Sequence, residues 1–247
     1  MDSRATSNTV SLPSLYTLLL LLTNKQPGLT HRNKYTGLTL AEDPTIAIIE
    51  TGNELSGSNF ADGDVPNTWT QSIASYVKQL ATNKLIMDGT YGINATHFEL
   101  GIIDIFSDHF YPLSIEKLQN GIDQVALADR TYFAGEFDWT YNSGGDSPTD
   151  FYSAVEAQLK KSSPVIVGDA FWSLFMHDVG APNGCKVYVN HTDGFALQYG
   201  NPLNSATMNL RIAELRQHFL RINGNEGARL ALPKVGCPGP VYQSGGT

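Results

Sequence analysis

The sequence has little charge, very little cysteine and no excess of basic residues. Only 16% of the 247 residues are charged, and 16 Lys and Arg stand against 24 Asp and Glu, which gives a formal net charge of -8. A nucleic acid or an anionic membrane surface requires a basic face on its partner. We therefore expect neither partner. A hydrophobic content of 41% predicts a globular protein and argues against general disorder.

Cysteine is represented only by Cys185 and Cys237. Their spacing matches no metal-binding or redox motif, and whether they pair in a disulfide stays open. No Gly-x-Gly-x-x-Gly follows any apolar run, which argues against a dinucleotide-binding fold. The sequence thus predicts no metal and no cofactor.

Long apolar runs are also missing. The longest one, Leu15–Leu22, is shorter than the roughly 20 residues that span a bilayer. Its apolar positions favour an amphipathic helix over a secretory signal peptide, because no small-x-small cleavage site follows. Because the sequence contains no linker and no repeat, we predict a single domain over residues 1–247. We expect residues 1–13 to be disordered and residues 232–247 to form a surface tail.

From residue 45 onward, short apolar runs alternate with stretches of helical periodicity. This alternation predicts a parallel sheet covered by helices, either a β/α barrel or a doubly wound open sheet. Both architectures place a site at the carboxyl ends of the strands. The predicted strands are Ile46–Ile49, Leu85–Met87, Ile102–Phe106, Tyr132–Ala134 and Val165–Val167. The predicted helices are Asn67–Leu80, one following Ser114, Asp150–Lys160 and one following Ser205.

Two glutamates follow two of these runs where a polar, glycine-bearing segment begins. Glu54 comes after Gly52 and Asn53, and Glu136 comes directly after Gly135. Two carboxylates held at strand ends are what acid/base hydrolysis of a glycosidic bond requires, so the pair predicts a carbohydrate hydrolase. Each also has a simpler interpretation on its own: Asn53 and Glu54 as a helix cap, and Glu136 as a solvated loop residue.

Aromatic and histidine residues accompany this pair. His109 and Tyr111 alternate after the third run, so they share a face of an extended segment and can hold a carboxylate by hydrogen bonding. Trp172 after the last run can offer its indole face to a sugar ring, with core packing as the alternative. A metal site at Asp104, Asp108 and His109 lacks a clear ligand pattern, and we expect none.

Together these segments resemble glycoside hydrolase family 5, most closely its secreted fungal β-mannanase-like members, from about His31 to about Ile222. The motifs that carry the resemblance are Asn53-Glu54, His109-x-Tyr111, Glu136 and Trp172, in the family's order. The resemblance implies a (β/α)8 TIM-barrel type fold that is incomplete, with strands 4 to 8 and their helices present. It also implies Glu54 as the acid/base, Glu136 as the nucleophile, and Asn53, His109, Tyr111 and Trp172 as substrate-binding residues.

The function implied by the resemblance is that of a retaining endo-β-1,4-mannanase. A β-mannan or related polysaccharide is the expected partner, the expected location is extracellular, and the oligomeric state stays open. Two alternatives remain: another family 5 β-1,4-glycanase such as an endoglucanase, and an inactive fragment that at most binds glycans. Since a barrel without its first three strands cannot close, we expect little or no hydrolysis and poor solubility from this chain alone.

Overall fold

The computed structural model describes residues 28–61, 65–175 and 191–224. Several predictions concern segments outside these ranges: the disordered N-terminus, the helix at Leu15–Leu22, the pairing of the two cysteines and the C-terminal tail. Within the described ranges, none of the helices combines the length and the apolar composition that crossing a bilayer requires.

The described residues contain five strands in one parallel sheet, in the order β1-β2-β3-β4-β5. The register places Ile48 opposite Leu85 and Met87 opposite Ile105. Parallel strands that follow chain order, with α-helices between most of them and the short turn Ala95–Glu99 between β2 and β3, are the arrangement of an incomplete (β/α) barrel. The strands are β1 (Ile48–Glu50), β2 (Leu85–Asp88), β3 (Ile105–Phe110), β4 (Thr131–Phe137) and β5 (Ile166–Asp169).

Four longer helices lie between and after the strands, and serine hydroxyls begin three of them. Ser114, Ser147 and Ser205 each accept a bond from a backbone N–H in the first helical turn, which satisfies a donor that the helix itself leaves open. The helices are α1 (Asn67–Leu80), α2 (Ile115–Leu127), α3 (Pro148–Leu159) and α4 (Ala206–Ile222). Shorter helical turns occur at Gly28–Thr30, Leu55–Ser58 and Ala95–Glu99.

The chain divides into two compact units. The first comprises residues 1–108 and 120–133, and the second comprises residues 109–119 and 134–247. In the first unit, Leu55, Val65, Trp69 and Ile73 form a buried cluster against which Phe60 packs. In the second, the ring of Phe151 lies 5.0 Å from that of Phe110 and 5.5 Å from that of Phe137, and all three are fully buried.

The prediction for the third strand was wrong in its position. The run Ile102–Phe106 was expected, but β3 is Ile105–Phe110, and all six of its residues are buried. Its second half contains Ser107, Asp108 and His109. Because these residues are polar, the sequence predicts a loop there. Their side chains are buried because hydrogen-bonding partners lie within the protein: Gly92 donates its N–H to Asp108, and Ser107 donates to the carbonyl of Asp88.

Candidate functional site

In the first unit, Glu54 lies in a tight turn directly after β1. Its backbone is left-handed, with φ 47° and ψ 49°, a conformation that residues other than glycine rarely adopt. Two backbone contacts fix the turn from the end of β2: Leu55 donates its N–H to the carbonyl of Gly89, and Gly89 donates its N–H to the hydroxyl of Thr51. The turn thus places Asn53 and Glu54 at the carboxyl end of a sheet strand.

The close approach between the two segments depends on glycine. A Cβ on Gly89 would lie 1.8 Å from the carbonyl oxygen of Gly52, so no larger residue fits there without moving the turn. Glu54 occupies the capping position of the short turn Leu55–Ser58, yet its side chain makes no capping hydrogen bond. The geometry therefore gives no support to the interpretation of Glu54 as a helix cap.

In the second unit, Glu136 lies within β4, as its next-to-last residue. The strand was expected to end at Ala134, before Glu136, but it continues through Phe137. Regular strand geometry still presents the carboxylate, since side chains alternate across the sheet. The side chain of Glu136 is 25% exposed, which leaves it accessible from solvent while most of its surface is enclosed.

Two side chains from the end of β3 approach the same oxygen of Glu136. The Tyr111 hydroxyl donates to Oε2 over 3.3 Å, and Nδ1 of His109 lies 3.8 Å from that atom. His109 is 5% exposed, and the ammonium of Lys117 donates to its backbone carbonyl. The predicted shared face of His109 and Tyr111 is therefore present, and it is turned toward a carboxylate.

Trp172 follows β5 and lies three residues beyond Asp169, the last residue of that strand. It pairs with Asp138 in an isolated parallel bridge, and its backbone N–H donates to the carbonyl of Phe137. The indole is partly exposed, which does not match the core-packing alternative. Its neighbour Phe171, which is also partly exposed, packs against Trp139 and Phe219.

Two aspartates near the strand ends have partners within the protein. Asp88 accepts from Nδ1 of His97 over 2.7 Å, and both side chains are buried. Asp104 accepts from the Lys78 ammonium and from the backbone N–H of Ile86, which explains it as a structural residue. Sequence reasoning missed the link between Trp172 and Asp193, whose side chains are 2.7 Å apart, because a contact across 21 residues leaves no periodic signal.

Comparison with known proteins supports the fold and the resemblance. Residues 25–118 match the model of the GH family 5 beta-mannosidase-like group. A mannan endo-1,4-beta-mannosidase 1 from Oryza sativa subsp. japonica is 23% identical over 248 residues, which cover 81% of this chain and 55% of the relative. Both matches are to glycoside hydrolases of family 5 or of mannan, which supports the predicted resemblance to that family.

Solved structures show the same fold at low identity. The endo-beta-1,4-mannanase from Thermotoga petrophila superposes with a TM-score of 0.57 at 19% identity, covering 87% of this chain and 50% of that one. A family 5 mannosidase from Rhizomucor miehei gives a TM-score of 0.51 at 15% identity, covering 80% and 56% respectively. The chain thus spans about half the length of the relatives it matches. The incomplete (β/α) barrel predicted from the sequence is confirmed.

Proposed function

We propose that this chain is a family 5 glycoside hydrolase that serves the retaining hydrolysis of β-1,4-mannan, with Glu136 as the nucleophile and Glu54 as the acid/base. The observation that carries the proposal is the pair of contacts at Glu136, where Tyr111 donates a hydrogen bond to Oε2 and His109 lies beside it. A donor at that oxygen stabilises the negative charge that a nucleophile needs. The similarity to a rice mannan endo-1,4-beta-mannosidase favours mannan as the substrate.

The two steps follow from the chemistry of paired carboxylates. The Glu136 carboxylate attacks the anomeric carbon while the bond to the leaving oxygen breaks, and Glu54 gives its proton to that oxygen. Glu54, now ionised, takes a proton from water, and the water oxygen displaces Glu136 from the anomeric carbon. Two inversions retain the configuration at that carbon. Retention requires the two carboxyl groups to lie roughly 5–5.5 Å apart.

The remaining predicted residues have supporting roles in this proposal. Asn53 can hydrogen-bond a sugar hydroxyl next to Glu54, and Trp172 can lie against the C–H face of a sugar ring. The net charge of -8 presents no obstacle to a neutral polysaccharide. The steps above need only two carboxylates and water. An extracellular site of action, as the family resemblance implies, is part of the same proposal.

Hydrolysis by the wild-type chain and by Glu136→Gln tests the proposal. The reducing ends that the incomplete barrel releases should come from β-mannan and not from carboxymethylcellulose, with the product anomer retained when followed by NMR. Removing a nucleophile's charge while keeping its shape lowers turnover by about a thousandfold or more. Glu116→Gln is the matched control, because Glu116 is an exposed residue in the first turn of α2.

The possible outcomes separate the alternatives. Release from cellulose alone identifies an endoglucanase and overturns the mannan assignment. Inversion of the anomer excludes Glu136 as a nucleophile. Binding of mannohexaose without any hydrolysis identifies a glycan-binding chain, the remaining alternative, and a normal rate in Glu136→Gln would remove the proposed mechanism.

A further inference from the structure

The indole of Trp172 is anchored by one carboxylate in the second unit. Its Nε1–H donates to Oδ2 of Asp193 over 2.7 Å, and Nδ1 of His191 lies 2.7 Å from the same oxygen. The other oxygen, Oδ1, accepts the backbone N–H of Phe195 over 2.9 Å. Since a carboxylate has only acceptors, all three contacts are donated to Asp193.

Aromatic packing supports the same arrangement. The rings of Phe175 and His191 stack at 5.1 Å with an angle of 11° between their planes. Both rings meet the indole of Trp172 nearly at right angles, at 83° for His191 and 88° for Phe175. Edge-to-face contacts of this kind are favourable for aromatic pairs, so the indole is held at its edge by a hydrogen bond and against a preformed stack.

The segment that carries Asp193 also supports the residues beside Glu136. The ring of Phe195 lies 5.3 Å from that of Tyr111, whose hydroxyl donates to Glu136. The carbonyl of Phe195 accepts from the indole of Trp139. A single short segment, residues 193–195, therefore contacts both the partly exposed tryptophan and the donor to the carboxylate.

We propose that Asp193 is a positioning residue that fixes the orientation of the Trp172 indole, so that the ring is preformed as a stacking surface for one sugar of the polysaccharide. This inference rests on the proposed function. An indole has one polar atom, and anchoring that atom selects one rotation of the ring. A ring that is already ordered loses less conformational freedom when the sugar binds, which raises affinity.

The charge state of Asp193 fits this role. Burial opposes its ionised form, but the N–H of Phe195, the indole of Trp172 and His191 together hold the pKa of Asp193 below its usual value. Asparagine cannot replace it. An amide has one oxygen and one NH₂ group, and the NH₂ group would face a donor in either orientation of the side chain.

The experiment compares Asp193→Asn with wild type by two readouts. The first is the ¹⁵N–¹H signal of the Trp172 indole, assigned by its disappearance in Trp172→Phe, which reports the anchor without any need for activity. The second is the split between KM and kcat on mannohexaose. We expect the indole signal to shift and KM to rise about tenfold, the size of effect expected when a charged hydrogen bond is lost, with kcat changing less than about twofold.

Asp43→Asn is the matched control. Oδ1 of Asp43 accepts from the backbone N–H and the hydroxyl of Thr45, so this variant makes the same replacement in the other unit, where the amide oxygen can keep both bonds. It should leave both readouts unchanged.

Failure of this inference and failure of the proposed function give different results. If the indole signal or KM is unchanged in Asp193→Asn while the wild type hydrolyses mannan, the positioning role is wrong and the function stands. If kcat falls by as large a factor as KM rises, Asp193 affects the reaction or the fold. It then does not act by orienting the Trp172 indole. If the wild type neither binds nor hydrolyses mannohexaose, the proposed function is wrong, and so is the positioning role that rests on it.

Discussion

Glu54 keeps a backbone conformation that is unfavourable for its residue type. A left-handed residue with a Cβ costs about 1–2 kcal/mol, and Glu54 has φ 47° and ψ 49°. The surrounding contacts hold the turn in place, because Leu55 bonds to Gly89 and a Cβ on Gly89 would meet the carbonyl of Gly52. Unfavourable backbone geometry that persists is typical of functional positions. It is consistent with a side chain kept for its chemistry.

Glu54→Gly tests this balance between stability and activity. Glycine adopts the left-handed conformation without steric cost but loses more freedom on folding, so we expect a gain of about 0.5–1 kcal/mol in unfolding free energy. Hydrolysis of β-mannan should be abolished. Asp129→Gly is the matched control, because Asp129 also has a positive φ, 54°, and is exposed. It should gain similar stability in urea unfolding and keep its activity, and a loss of stability in Glu54→Gly would contradict the argument.

At the scale of elements, α2 approaches β4 closely at a glycine. A Cβ on Gly121 would lie 2.9 Å from both Cε2 and the hydroxyl oxygen of Tyr132. Tyr132 is fully buried, so its ring has no free space into which to move. This explains a glycine in the middle of a helix, where the residue is otherwise unfavourable.

Gly121→Ala should therefore destabilise the protein, although helix propensity alone predicts that alanine stabilises it. Alanine in a helix interior gains about 1 kcal/mol over glycine, but overpacking a buried ring costs typically about 1–3 kcal/mol. We expect a net loss of about 1 kcal/mol in the unfolding free energy, measured by urea denaturation. The control Asn120→Ala changes an exposed neighbour on the same helix and should stabilise slightly. A gain in Gly121→Ala would show that Tyr132 has room to shift.

Helices were predicted from the sequence more accurately than strands. The bounds of α1 are those expected, and Ser114 and Ser205 cap the helices they were expected to begin, because capping and periodicity are local. The start of α3 was missed by two residues, since its cap is Ser147 and Pro148 is its first residue. The position of β3 was wrong because the partners that make Asp108 and His109 tolerable in a buried strand come from distant parts of the chain.

For the candidate site, the sequence identified residues but not their contacts. The alternation of His109 and Tyr111 predicted a shared face, and both do approach Glu136. The left-handed turn at Glu54 and the bond between Trp172 and Asp193 left no such pattern. Both depend on tertiary contacts between segments that are far apart in sequence. The catalytic assignments of Glu54 and Glu136 stay predictions, to be decided by kinetics.

At the scale of the whole molecule, each unit contains a buried group of ionisable side chains. In the first unit, the fully buried His97 contacts the Asp88 carboxylate at Nδ1 and the Val65 carbonyl at Nε2. Two acceptors facing one ring favour a proton on each nitrogen, and the amide nitrogen of Asn94 also lies 3.2 Å from Nε2. In the second unit, Glu156 binds both His218 and the Arg221 guanidinium, which joins α3 to α4. The contributions of these two groups to the stability of the fold depend on pH in opposite ways.

Burial of His97 opposes its charge, but the hydrogen bond and the charge of Asp88 raise its pKa above the usual 6.5. Its contribution to stability is therefore complete below about pH 6.5 and is lost as the pH rises through the folded-state pKa. Burial also opposes the charge of Glu156, but Arg221 and His218 hold its pKa below the usual 4.5. That contribution is complete above about pH 4.5 and is lost as the pH falls through the folded-state pKa.

The melting temperature should therefore be highest between about pH 4.5 and 6.5 and fall on both sides of that range. His97→Gln should flatten the alkaline decline alone, and Glu156→Gln should flatten the acid decline alone, because each removes one of the titrating groups. His31→Gln changes an exposed histidine and should reproduce the wild-type profile. Circular dichroism melts at half-unit pH steps measure all four proteins. An alkaline decline in His97→Gln as steep as that of the wild type would show that the imidazolium of His97 does not stabilise the fold.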